Sequence, residues 1–399
     1  MKYFFSFFFF FLISCGVQYK ILKTKEIDLN FITLNYFKHP SFKININDSI
    51  TGNFIFDTGA YNTFIDSTFY KKTNFKYQNI TDARVTGIGS RVKKIRVIND
   101  TIKIKYGQNT ILSKPTAIID LKKITGKICD GMIGYKYFEK NIIKFDYENE
   151  YFKLYSSIYE ISDIKKYTKI PIEIINNKIF VKATIFINDN KQIEGKFIID
   201  TGSNFPIYFT NETSQKFNLK EITSNVDFFS NKTGVGGNSN GFTFVSKSVN
   251  IGGILINKIP LYASTDVSGA LASNEYDGIL GNQILERFTY IIDPIDKELY
   301  LKPNRNKKKI DLNLLGFSLI DRTDIDTDYW AIKTIFKNSN AEKCGLKLND
   351  TITKVDSIKV SKIDLKEFSN RISNKKTITV TVLRNKIEKN YLVKLMSIY

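Results

Sequence analysis

The sequence predicts a mainly β chain: two homologous barrel lobes in tandem, followed by a small α+β domain. Segments rich in Ile, Val, Phe and Thr, bounded by Asn, Asp and Gly, recur throughout, a composition suited to strands on a pleated, half-buried surface. Four landmarks occur twice in the same order before Pro303. Beyond Pro303 a run of Lys, Arg and Asn interrupts the strands and the repeat stops.

The amino terminus comes first. Lys2 precedes an apolar run, Tyr3 to Ile13, then Ser14-Cys15-Gly16. A positive start and a short apolar stretch predict a secretory signal over residues 1–14, too short to span a bilayer. Leu12-Ile13-Ser14-Cys15 resembles a bacterial lipobox, which implies cleavage before Cys15 and acylation of its sulfur, with residues 15–30 as a tether. No acidic cluster follows Gly16, so the expected location is the periplasmic face of the outer membrane. No pro-segment is visible between Cys15 and the first strands.

The repeat defines lobes at residues 31–157 and 158–304. Gly52-Asn-Phe-Ile-Phe-Asp57-Thr58-Gly59-Ala60 returns as Gly195-Lys-Phe-Ile-Ile-Asp200-Thr201-Gly202-Ser203. Asp130-Gly-Met-Ile-Gly134 returns as Asp277-Gly-Ile-Leu-Gly281, each followed by a strand ending in an aspartate, Asp146 and Asp293. Between them lie Thr86-Gly87-Ile88-Gly89 and Thr233-Gly234-Val235-Gly236-Gly237, suited to hairpin tips that close over a bound chain or to plain surface turns. Strands are expected at Phe42–Ile46, Ile95–Ile104, Ile179–Asn188 and Phe242–Ile251, with short helices at Tyr135–Lys140 and Asn282–Arg287.

A strand that turns sharply at Asp-Thr-Gly presents a carboxylate on a rigid support, and glycine lets the neighbouring backbone approach it. If the two lobes pack about a pseudo-twofold axis, Asp57 and Asp200 meet, and like charges so close share one proton. The ionised carboxylate can then activate water while the protonated one polarises a carbonyl. On these motifs residues 40–302 resemble the pepsin and retropepsin class of aspartic proteases, the bacterial retropepsin-like branch above all. The resemblance implies catalysis by Asp57 and Asp200, support from Thr58, Gly59, Thr201, Gly202 and Ser203, and Thr58 and Thr201 interlocked beneath the dyad. It further implies flaps at Gly87, Gly89, Gly234 and Gly236, and a Ser203 hydrogen bond near Asp200. Ala60 lacks that hydroxyl, which predicts a higher titration step nearer neutrality. No tyrosine stands where a pepsin-type flap carries one.

From residue 310 the pattern is α+β. Leu315-Gly316-Phe317 precedes strands at Tyr329–Phe336, Thr351–Val355 and Thr377–Arg384 and a helix at Leu365–Ile372. With Ser339 to Asp350, this resembles a PDZ domain, although Cys344 and Asn349 depart from the usual small residues. The resemblance implies that Leu315, Gly316 and Phe317 hold a peptide's terminal carboxylate and that the next strand accepts the peptide by β-augmentation.

Composition narrows the rest. The formal charge is +19, but Lys and Arg are spread over every segment, which disfavours a nucleic-acid patch. One histidine, His39, leaves no ligand set for zinc, and no cofactor is expected. With Cys15 acylated, Cys129 and Cys344 fall in different domains and are expected as small buried hydrophobes without a disulfide. The expected protein is a monomeric, lipid-anchored endopeptidase acting on polypeptides. A catalytically inactive envelope scaffold is the competing reading.

Overall fold

The computed structural model describes residues 31–33, 35–37, 39–85, 87, 93–223, 227–232, 237–305, 315–323 and 327–395. The architecture is mainly β, with barrel-like lobes. Lobe 1 comprises β1 (Phe31–Thr33), β2 (Asn35–Phe37), β3 (His39–Ile46), β4 (Ile50–Asp57), β5 (Thr63–Asp66), α1 (Ser67–Thr73), β6 (Ile80–Val85), β7 (Lys93–Ile98), β8 (Ile102–Tyr106), β9 (Asn109–Ser113), β10 (Thr116–Ile119), α2 (Lys122–Thr125), β11 (Gly131–Gly134), β12 (Ile142–Asp146) and β13 (Tyr151–Tyr155). Lobe 2 repeats the plan: β14 (Thr168–Ile175), β15 (Lys178–Phe186), β16 (Gln192–Asp200), β17 (Ile207–Phe209), α3 (Asn211–Lys216), α4 (Leu219–Ile222), β18 (Asp227–Lys232), β19 (Asn238–Ile251), β20 (Ile254–Ser264), β21 (Gly278–Gly281), α5 (Asn282–Leu285), β22 (Phe288–Asp293) and β23 (Glu298–Pro303).

Pairing makes the repeat explicit. In lobe 1, β4 lies between β3 and β11, and β11 between β4 and β5; in lobe 2, β16 lies between β15 and β21, and β21 between β16 and β17. One sheet joins the lobes in the order β1–β13–β12–β22–β23–β14, and its midline is the antiparallel pair β12–β22. The apolar core is continuous across that midline, where Phe145 stacks on Tyr290 with ring centroids 4.9 Å apart. Asp146 and Asp293 close the two hairpins of this sheet: each carboxylate accepts backbone N–H bonds of the following turn, from Asn149 and from Ile295 and Asp296.

Several expected elements came out differently. The strand expected at Ile95–Ile104 is two, β7 and β8, broken where Asp100 accepts the backbone N–H groups of Gln78 and Asn79. The helix expected at Tyr135–Lys140 is one 3-10 turn, Tyr135–Tyr137, and that at Asn282–Arg287 ends as α5 at Leu285. Helices α1 and α3 were not anticipated. Their N-caps explain them: Asp66 accepts from Thr68 and Phe69 N–H, and Thr210 from Thr213 N–H.

The C-terminal domain has its own core around Trp330, fully buried against Phe368. It comprises β24 (Phe317–Asp321), β25 (Trp330–Phe336), α6 (Asn340–Lys343), β26 (Thr351–Val355), β27 (Ile358–Lys359), α7 (Leu365–Ile372), β28 (Thr377–Arg384) and β29 (Ile387–Lys394). Ser339 caps α6, Gly345 takes a positive φ of 101°, and Arg384 bonds both oxygens of buried Asp350. Cys129 is buried and Cys344 half-buried, and both are free. Among the described residues no helix is long and apolar enough to cross a membrane.

Candidate active site

β4 and β16 deliver Asp57 and Asp200 at their ends because parallel neighbours hold them from behind. Gly134 of β11 lies opposite Asp57, and Gly281 of β21 opposite Asp200. The approach there is too close for a side chain: a Cβ on Gly134 would come within 2.4 Å of the Tyr61 and Asn62 carbonyls, and one on Gly281 within 2.3 Å of the Phe205 carbonyl. At the other end of each pair sits an aspartate. The Asp130 carboxylate accepts the Asn53 N–H at 2.9 Å, and its own N–H donates to the Asn53 carbonyl at 2.8 Å. Asp277 does the same to Lys196, at 2.8 and 2.9 Å.

The two turns cross each other. The Thr58 hydroxyl donates to the Ile199 carbonyl at 2.7 Å and accepts the Thr201 N–H at 3.0 Å. The Thr201 hydroxyl donates to the Phe56 carbonyl at 2.7 Å and accepts the Thr58 N–H at 3.0 Å. Both threonines are fully buried. Gly59 and Gly202 then bring each turn against the opposite carboxylate: a Cβ on either would stand 2.5 Å from Cγ of Asp200 or Asp57 respectively. The crossed turns bring the two carboxyl groups together, close enough for each to shift the other's pKa.

Burial drives the electrostatics. Desolvation raises the Asp57 pKa, opposed by the neighbouring Asp200 carboxyl and by amide donors from Gly59, Ala60 and Gly202. Asp200 is raised well above the ordinary carboxyl value, by desolvation and by the adjacent Asp57 carboxyl, against the opposing effect of the Gly202 and Ser203 amides. The geometry favours the shared proton on Asp200 and the charge on Asp57, because the Gly59 and Ala60 N–H groups donate to Asp57 Oδ1 at 2.8 and 3.2 Å whereas Asp200 Oδ1 is buried with no hydrogen-bond partner among the described residues.

Residues 42–137 match the family model for aspartyl proteases. That span holds Asp57-Thr-Gly and the Gly134 turn, and it supports aspartic peptidase activity in general. No curated protein matches the chain. The match ends within lobe 1, and lobe 2 is joined to the matched span by the geometry just described.

The remaining candidates are placed unevenly. The Ser203 hydroxyl accepts from Phe205 N–H at 3.5 Å instead of reaching Asp200; its amide faces that carboxylate. The lobe asymmetry therefore lies in the Gly59 and Ala60 amides on Asp57 Oδ1 against the buried, unpartnered Asp200 Oδ1, not in a serine hydroxyl opposite Ala60. Gly87 is half-buried, and its carbonyl accepts the Ala270 N–H from lobe 2 at 3.1 Å. Gly89, Gly234, Gly236 and Cys15 lie outside the described residues. Leu315, Gly316 and Phe317 lead into β24; Gly316 has φ 69°, its carbonyl accepts the Phe336 N–H, and the Phe317 ring is buried. Among the described residues no group of three His, Cys, Asp or Glu is arranged to hold a metal ion.

Sequence reasoning passed over Asn282. Fully buried at the start of α5, it donates to the Thr201 carbonyl and accepts the Tyr147 hydroxyl at 3.0 Å. A polar residue directly after the Gly281 turn was the available signal, because the equivalent place in lobe 1 holds Tyr135.

Proposed function

We propose that the chain is a lipid-anchored aspartic endopeptidase of the bacterial envelope, hydrolysing polypeptides by water attack at the Asp57/Asp200 dyad. The single observation that carries this is the facing pair of Asp57 and Asp200 carboxyls, held by the crossed Thr58–Thr201 lattice in unequal hydrogen-bond surroundings. In the proposed step Asp57 accepts a proton from water while Asp200 transfers its proton to the scissile carbonyl oxygen. The water oxygen bonds to the carbonyl carbon and gives a tetrahedral diol. Asp57, now protonated, donates to the leaving nitrogen as the C–N bond breaks, and the diol returns a proton to Asp200. The Thr58–Thr201 lattice holds both carboxyls in register for that exchange.

The C-terminal domain is proposed to bind peptide termini at Leu315–Phe317 along β24, and Cys15 to carry the anchor at the periplasmic face. Among the described residues β24 pairs with one strand only, β25, and apart from its Asp321 end, which meets Lys127, this edge and the Gly316 turn support the first, the Leu12–Cys15 motif the second. The test is profiling of new protein N-termini in cells expressing wild type or Asp200→Asn. Termini present in the first and absent in the second are expected. Identical profiles, with purified wild type failing to cleave a denatured protein, would leave an inactive scaffold. Cys15→Ser is expected to move the protein from the membrane to the soluble envelope fraction, and persistence in the membrane would remove the anchor assignment.

A further inference from the structure

The lobe pseudo-symmetry fixes what surrounds the two ends of the dyad cleft. Residues 120–130 of lobe 1 (with α2) correspond to residues 265–277 of lobe 2, since both join the last outer strand to the strand behind the dyad. Strand β6, which leads to Gly87, likewise corresponds to β18. At one end Gly87 meets Ala270 across the cleft, lobe 1 hairpin against lobe 2 loop. The symmetry-related contact would join the β18–β19 hairpin to the α2 loop. Among the described residues, β18 of that hairpin and the α2 loop are each held by the C-terminal domain.

The attachments are specific. β18 pairs antiparallel with β25 through Phe229–Phe336, Ser230–Ile335 and Asn231–Thr334, extended by Lys337 N–H to the Phe228 carbonyl at 2.8 Å. The Phe229 and Phe336 rings meet at 5.8 Å. On lobe 1, Lys127 N–H donates to the Asp321 carbonyl at 2.9 Å, and its ammonium reaches the Thr323 hydroxyl at 2.8 Å and the Asp321 carboxylate at 3.4 Å. Gly126, at φ 87°, permits the approach, for a Cβ there would lie 2.7 Å from the Asp321 carbonyl oxygen.

We infer that the C-terminal domain is the wall at one end of the dyad cleft, with Lys127 and β18 as positioning contacts, so that an extended polypeptide leaving that end is read by this domain. The inference rests on the proposed peptidase function and deepens it. A cleft so built is asymmetric: lobe meets lobe at one end, and at the other a separately folded domain sets the distance between hairpin and loop. Occupancy of the cleft then couples to β24 and β25.

Hydrogen exchange on the full chain, with and without a statine-containing peptide that mimics the hydrated carbonyl, tests this. The expected result is protection of residues 57–60 and 200–203 together with exchange slowed about fivefold or more in residues 315–321 and 334–337, the low end of ordinary coupling between sites. The antiparallel alternation aims the Ser230 N–H at β25 and not at β19, so Ser230→Pro breaks that ladder alone. Ser230→Pro and Lys127→Ala are each expected to lose the distant slowing and keep protection at the dyad turns. Protection confined to the dyad turns in wild type overturns the inference and leaves the peptidase reading standing. No protection at either place overturns both, and slowing that survives both substitutions overturns the assigned contacts.

Discussion

Lobe 1 and lobe 2 agree closely at the dyad and part company away from it. Both use an aspartate clasp at the start of the central strand, a glycine behind its end and a threonine crossing to the other lobe. At the margins β19 runs unbroken for 14 residues where lobe 1 has the separate β7 and β8. Cys129 fills the place of Tyr276, and Asp130 pairs with the Lys122 ammonium at 2.7 Å where Asp277 meets the Thr213 hydroxyl. Strand β6 pairs on one side only among the described residues, whereas β18 is held on both. The difference teaches what the duplicated part is for. Geometry that a shared proton requires is kept in both copies, and the surfaces that meet other chain segments are free to diverge.

The largest effects should be symmetric. Asp57→Asn and Asp200→Asn are each expected to lower cleavage of a denatured protein by about a thousandfold or more, because neither carboxyl alone supplies both acid and base. A variant retaining a tenth of the activity would break the equivalence of the two roles. Next come Thr58→Val and Thr201→Val, each expected to cost about 3 kcal/mol in denaturant unfolding, since each orphans a buried N–H and a buried carbonyl of the opposite lobe. Losses of clearly unequal size would show that one lobe carries the lattice.

How much of this was legible beforehand follows from the same division. The dyad could be read from the sequence because a close approach tolerates one residue type per position, and the same types recur in both copies: Asp57 and Asp200, Gly134 and Gly281. Asn282 has no counterpart in lobe 1, so the repeat did not single it out, and only its polarity after the Gly281 turn marked it. Helices α1 and α3 are too short to show apolar periodicity and depend on caps at Asp66 and Thr210. The docking of the C-terminal domain left no trace at all. It uses backbone groups of β18 and β25 and a single Lys127 among 59 basic residues, none of which forms a local pattern.

Two aspartates whose pKa values move in opposite directions sharpen the comparison further. The folded protein raises the Asp200 pKa, so it binds that proton more tightly than the unfolded chain does. The stability this contributes is complete below the unfolded carboxyl pKa and is lost as pH rises through the raised value. Asp200→Asn, which mimics the protonated form, should therefore stabilise the fold at neutral pH by about 1–2 kcal/mol, with the gain gone near pH 3.

Asp163 behaves in the reverse sense. It lies in the link between the lobes and receives Lys302 of β23 at 2.8 Å and Lys144 of β12 at 3.6 Å, tying one hairpin of the shared sheet to the other. Burial works against its charge, but the Lys302 hydrogen bond and the two ammonium charges outweigh that and lower its pKa. Its contribution is therefore present above the unfolded carboxyl pKa and disappears as pH falls through the lowered one. Asp163→Asn should destabilise the protein at pH 7 by about 1 kcal/mol after allowance for solvent screening, and make no difference near pH 2. Thermal unfolding of both variants across that range should give two curves that depart from wild type in opposite directions and converge on it in acid. If Asp163→Asn instead shifted stability equally at every pH, the lobes would be held by the shared sheet and its Phe145–Tyr290 stack, with the ion pairs as passengers.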